Sequence, residues 1–122
     1  MGGTTPSYGV TKAAVELAAN YDTTIMTMIR PRGGDFVYTD LEIAIMLEDI
    51  RLTAQAGSQG VVFGTLTADK KLDKPNLEKL IAASKGMEIV FHMAFDELSD
   101  EDQLEAIDWR REIGRASCRE RV

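Results

Sequence analysis

The run Met28-Ile29-Arg30-Pro31-Arg32-Gly33-Gly34-Asp35-Phe36 brings two arginines, two glycines and an aspartate together where an apolar segment stops. These residue types suit a small anion, because guanidinium groups form paired, charge-assisted bonds to carboxylate or phosphate oxygens. Arg30 and Arg32 stand two apart, so on an extended segment that persists through Pro31 both point the same way. Gly33 and Gly34 permit positive φ angles and a close approach of backbone N–H groups, a further anion-friendly feature. Asp35 either meets a ligand or pairs with one of the arginines. The structural alternative for the whole group is an ion pair that braces the loop.

A second constellation lies at Phe91-His92-Met93-Ala94-Phe95-Asp96. His92 suits a proton shuttle or an anion donor, with Asp96 fixing its tautomer if the two approach. Its apolar neighbours allow the plainer reading of a hydrogen-bonded core histidine.

The elements around these residues read as a βα repeat. Strands are expected at about Thr24–Arg30, Gly60–Gly64 and Glu88–Ala94, beginning 36 and then 28 residues apart, close to the ~30 of a βαβ unit. Pro31 has no N–H for a ladder and starts the loop, and Gly64 closes the second strand. Near-continuous apolar character predicts parallel strands buried on both faces. A first helix follows Thr5-Pro6-Ser7, with Val10, Ala13, Ala14, Leu17 and Ala18 as its apolar stripe. A second opens with Thr39 as N-cap and Glu42 three residues on, the capping-box pattern, and Gly57 stops it. Its core face is Ile43, Met46, Leu47 and Ile50. A third runs from Pro75 through Leu77, Leu80 and Ile81 to Gly86. The fourth begins near Ser99, with Asp100, Glu101 and Asp102 complementing its dipole and Leu104, Ile107 and Trp109 turned inward.

The chain has 122 residues, 44% hydrophobic and 28% charged, with a net charge of −6. That is ordinary soluble composition, and a cytoplasmic protein is the default expectation. Its longest apolar runs are far short of the ~20 residues that span a membrane. The last ten residues, from Ile113 to Val122, carry three arginines, the one cysteine and no apolar period. They resemble a short-read sequencing adapter translated in one frame, so residues 113–122 are expected to be a non-native tail and residues 1–112 the domain. Those 112 residues hold 11 basic and 19 acidic side chains, a net charge of −8. A nucleic-acid partner is not expected, because no basic patch or stacking platform is present. With Cys118 in the tail, the domain has no thiolate for a disulfide, a metal or nucleophilic catalysis.

Four motifs in order, Gly2-Gly3-Thr4-Thr5-Pro6-Ser7, Met28 to Phe36 with Tyr38, Gly60-Val61-Val62-Phe63-Gly64, and Phe91 to Asp96, resemble the CutC family, named for copper homeostasis. The resemblance covers essentially all of residues 2–112. It implies an α/β fold, part of a (β/α)8 TIM barrel, with about three parallel strands and four helices present. Met1, directly before a glycine loop, then reads as an internal codon taken as a start. Functional faces of such barrels lie at the C-terminal ends of the strands, so Arg30, Arg32, Gly33, Gly34, Asp35, Gly64, His92 and Asp96 would share one mouth. Many family members have arginine where this chain has Met93. The resemblance also implies copper as the bound ion, and a homo-oligomer stays open for a full-length protein. The residues fit copper less well: Cu(I) prefers sulfur, and Met26, Met28 and Met46 sit where packing residues belong. One histidine likewise falls short of a zinc set. Two functions therefore remain in view, a copper-homeostasis protein and an enzyme acting on a small phosphorylated or carboxylated metabolite. Residues 1–112 alone, with an open sheet, are expected to be insoluble or poorly folded.

Overall fold

A computed structural model describes residues 3–91 and 98–117. The order is α1 (Tyr8–Ala18), β1 (Met26–Met28), α2 (Asp40–Ala56), β2 (Gly60–Phe63), α3 (Lys74–Ala83), β3 (Glu88–Phe91) and α4 (Asp100–Ser117). The three strands form one parallel sheet in chain order, each joined to the next through a helix. Met26 pairs with Gly60 and Gly60 with Glu88, while Met28 pairs with Val62 and Val62 with Val90. This is a partial α/β barrel. No described helix is long and apolar enough to cross a membrane.

Local chemistry accounts for the helix ends. Ser7 Oγ accepts from Val10 N and caps α1. At α2, Thr39 Oγ1 accepts from Glu42 N and the Glu42 carboxylate accepts from Thr39 N, completing the expected capping box. Gly57, with φ of 95°, ends that helix in the left-handed conformation that costs glycine least. Pro75 lies in the first turn of α3, where a missing N–H is no loss. Ser99 Oγ accepts from Asp102 N at the start of α4.

The core forms between the sheet and its helices: Ile29, Val61, Phe63 and Ile89 pack with Ile43, Met46, Ile50, Leu77, Leu80 and Ala106. The opposite sheet face, with Met26, Met28, Val62 and Val90, is only half-buried. This corrects the expectation of burial on both faces, because the helices cover one side of the sheet and three strands do not close over the other. Gly60 is demanded by crowding on that open face. A Cβ there would stand 2.5 Å from Met26 Sδ and 2.7 Å from the Glu88 carbonyl oxygen.

Two helix faces also differ from expectation. In α1, Val10 and Leu17 are 60% and 64% exposed, and Thr11 is the buried residue, beside half-buried Ala14, Val15 and Ala18. Small side chains let the helix approach α2, and Val15 reaches Gly57. In α4, Leu104 and Ile107 face out while Ala106 is buried and Trp109 packs against the core.

Candidate functional site

The segment after β1 leaves the sheet through a backbone clamp. Arg30 N donates to Thr5 Oγ1 at 2.8 Å, and the Arg30 carbonyl accepts from Thr5 N at 3.0 Å and Thr5 Oγ1 at 3.1 Å. The chain before α1 therefore fixes where the first arginine starts. The Arg30 side chain then turns into the protein. The residue is 4% exposed, its guanidinium lies 4.7 Å from the Phe36 ring centroid, and Nη2 donates to the Gly34 carbonyl at 2.7 Å. Arg30 Nε has no hydrogen-bond partner among the described residues. Among the described residues no carboxylate forms an ion pair with Arg30. The aromatic contact contributes about 2 kcal/mol when desolvated, against a burial penalty on the order of several kcal/mol for an ion. Among the described residues the charge is left under-compensated.

Arg32 is the opposite case. Its Nε donates to Glu42 Oε2 at 2.6 Å, and Nη2 donates to Glu42 Oε1 at 3.3 Å and the Val37 carbonyl at 2.7 Å. Nη1 donates to Asp35 Oδ1 at 3.1 Å and to the carbonyls of Gly33 and Asp35 at 3.3 Å each. All five guanidinium hydrogens thus have acceptors, and the group stacks over Tyr38 at 5.2 Å. The hydrogen bond to Glu42 raises the Arg32 pKa most, and the same bond leads in lowering that of Glu42, with Thr39 N–H adding to it. Asp35 is held below its ordinary value chiefly by the Val37 N–H and then by Arg32. Of the two readings of Asp35, the structure has the internal pair. The two arginines do not turn toward one point.

Gly34 takes φ of 94°, the conformation that carries its carbonyl to Arg30, whereas Gly33 is exposed with open space where a Cβ would stand. Gly64 is buried directly after Phe63. The ladder continues past β1, since Ile29 N donates to the Val62 carbonyl at 2.8 Å. Carrying the register two residues beyond Met28 and Val62 sets Arg30 opposite Gly64. The Phe36 carbonyl joins the two loops, accepting from Leu66 N at 2.8 Å and Thr65 Oγ1 at 3.3 Å. His92 and Asp96 lie outside the described residues.

Thr5, Phe36, Tyr38 and Glu42 complete this site, and none stood among the candidate residues. The alternation of Phe36 and Tyr38 shortly after Arg30 and Arg32 was the available signal, since arginine stacks on aromatic faces. Tyr38 is 8% exposed and its hydroxyl has no hydrogen-bond partner. Burial pushes its phenol up, and the adjacent Arg30 charge partly offsets that shift.

No group of three or more His, Cys, Asp or Glu capable of holding a metal occurs among the described residues. The thioethers do not supply one: Met46 and Met87 are packed in the core, and Met26 lies against Gly60. The described residues do not fit a sulfur-rich copper site.

A partial α/β barrel with an arginine-bearing loop at the strand C-terminal ends is the class that the fold and site define. The model of the CutC family matches residues 1–118, and the chain belongs to that family. A CutC family protein of Streptococcus pyogenes is 50% identical over 108 residues, covering 88% of this chain and 52% of that protein. One from Enterococcus faecalis is 47% identical over 114 residues, covering 93% and 54%. The crystal structure of CutC from Streptococcus agalactiae, provisionally named for copper homeostasis, superposes with a TM-score of 0.89 at 45% identity, covering 93% of this chain and 54% of that one. The chain spans about half the length of these relatives.

Proposed function

We propose that this segment forms one side of a closed (β/α)8 barrel whose mouth binds a small carboxylated or phosphorylated metabolite in the cytoplasm. The observation that carries this reading is Arg30: a buried guanidinium with an unpaired Nε and no carboxylate partner among the described residues. A buried cation without a counter-charge is costly, and a bound oxyanion removes that cost. Placement at the strand C-terminal ends, where such barrels carry their functional groups, favours the same reading. Gly33 has open space where a Cβ would stand, and Arg32 and Asp35 hold the loop. His92 and Asp96, by the sequence argument, would serve as proton carrier and orienting carboxylate.

A copper role is the second reading, supported by the name that the Streptococcus agalactiae relative carries. Copper would be cargo, and its ligands would come from outside the described residues. Calorimetric titration of the full-length protein separates the two. Saturable binding of orthophosphate or malonate, lost in Arg30→Met while Cu(I) uptake persists, supports the anion site. Cu(I) binding with no anion binding rejects it.

A further inference from the structure

The Arg30 site contains a second buried polar group without a partner. Tyr38 Oη and Arg30 Nε are both fully buried, and both lack hydrogen-bond partners. The two side chains are close enough for Arg30 to act on the phenol both by its charge and as a hydrogen-bonding neighbour, but no bond of good geometry joins them. Two neighbouring unsatisfied groups are unusual in a folded interior, where almost every buried polar atom finds a partner. Tyr38 is also held firmly: the Arg32 guanidinium stacks on its ring, and Arg32 is fixed in turn by Glu42 of the α2 capping box. A helix cap, an ion pair and an aromatic stack thus combine to aim one hydroxyl.

We propose that Tyr38 is the second donor of the Arg30 site, its hydroxyl and Arg30 Nε binding one oxyanion that displaces the Gly34 carbonyl from the guanidinium. This rests on the anion reading of the site. The Gly34 carbonyl is the one acceptor that the described residues give the Arg30 side chain, through Nη2, and a ligand oxygen would take its place. Arg32 holds the flanking carbonyls of Gly33 and Asp35 but not that of Gly34, so the exposed Gly34 peptide is the part of the turn left to rotate. Rotation of that peptide uncovers the two buried donors. The occupant is a carboxylate or phosphate, because a neutral acceptor leaves the buried charge uncompensated. A tyrosine hydroxyl donates only while protonated, and burial keeps this phenol protonated throughout the neutral range.

The test is titration of full-length wild type and Tyr38→Phe with orthophosphate and, separately, with malonate, alongside a thermal melt of each. Losing one hydrogen bond to a charged group weakens binding by about tenfold. The expected result is that loss in Tyr38→Phe for whichever anion the wild type prefers, with little change in melting temperature because the removed hydroxyl makes no hydrogen bond of good geometry. A second readout follows tyrosinate absorbance against pH. Saturating anion should delay ionisation of one tyrosine in the wild type and of none in Tyr38→Phe. Equal anion affinity in wild type and variant, with no delayed tyrosine, overturns the role of Tyr38 alone. Absence of any anion binding by the wild type overturns the Arg30 reading and this inference with it.

Discussion

Arg30 and Arg32 leave the same turn two residues apart and end in contrasting surroundings. Arg32 remains partly exposed and uses every donor: a glutamate from the α2 cap, an aspartate three residues on and three backbone carbonyls surround it. Arg30 is buried against Phe36 with one carbonyl as its acceptor and no carboxylate among the described residues. The better-paired arginine is therefore the scaffold, and the poorly paired one is the candidate for binding. Counting charges in the loop would have weighted them equally. What separates them is how many acceptors the surrounding fold delivers, and how much water it removes.

The largest expected effect breaks this contrast directly. Arg30→Met should weaken orthophosphate or malonate binding by about 30-fold or more, as loss of a buried charge partner does, whereas Arg32→Met should stay within about threefold. Calorimetry of both variants checks this, and equal losses would erase the distinction. Next comes the opposite end of the sheet, at the start of β2, where packing rather than charge sets the geometry. Gly60→Ala should cost about 1–3 kcal/mol in denaturant unfolding, because the new methyl meets the Glu88 carbonyl as well as the more yielding Met26 side chain. Thr39→Ala should cost about 1 kcal/mol by the same measurement through loss of the α2 cap. The smallest effect is in pH. Asp35 and Glu42 both have lowered pKa values, so the native state binds protons less readily than the unfolded chain. Their stabilisation is present above the ordinary carboxylate range and is lost as pH falls through the lowered folded values. Glu42→Gln should flatten the acid limb of a melting-temperature profile, and an unchanged limb would remove Glu42 from the account.

Much of the scaffold was legible where the determinants are local. The Thr39 and Glu42 capping box, the Gly57 stop and the parallel order of the strands follow from residues close in sequence or from a repeated pattern. The outward faces of α1 and α4 were not legible. Val10, Leu17 and Leu104 have the right apolar character, but which face of a helix is buried depends on what lies across from it. Thr11, with Ala14 and Ala18, and Ala106 are placed inward, where small side chains permit close packing. The anion candidates were legible as a group and not as individuals. The glutamate that occupies Arg32 lies ten residues away on a helix, and the aromatic ring covering Arg30 reveals itself only when the loop folds back.

Whether Arg30 is a buried charge awaiting an anion shows most plainly in the melting temperature of full-length Arg30→Met against wild type. It is measured in buffer free of oxyanions and again with saturating orthophosphate. The variant should melt no lower than the wild type without anion, since an uncompensated buried charge has been removed, and only the wild type should gain stability when phosphate is added. A variant that melts on the order of 5 °C lower without anion, with phosphate shifting both proteins equally, would show that Arg30 is a paired structural residue and would contradict the account.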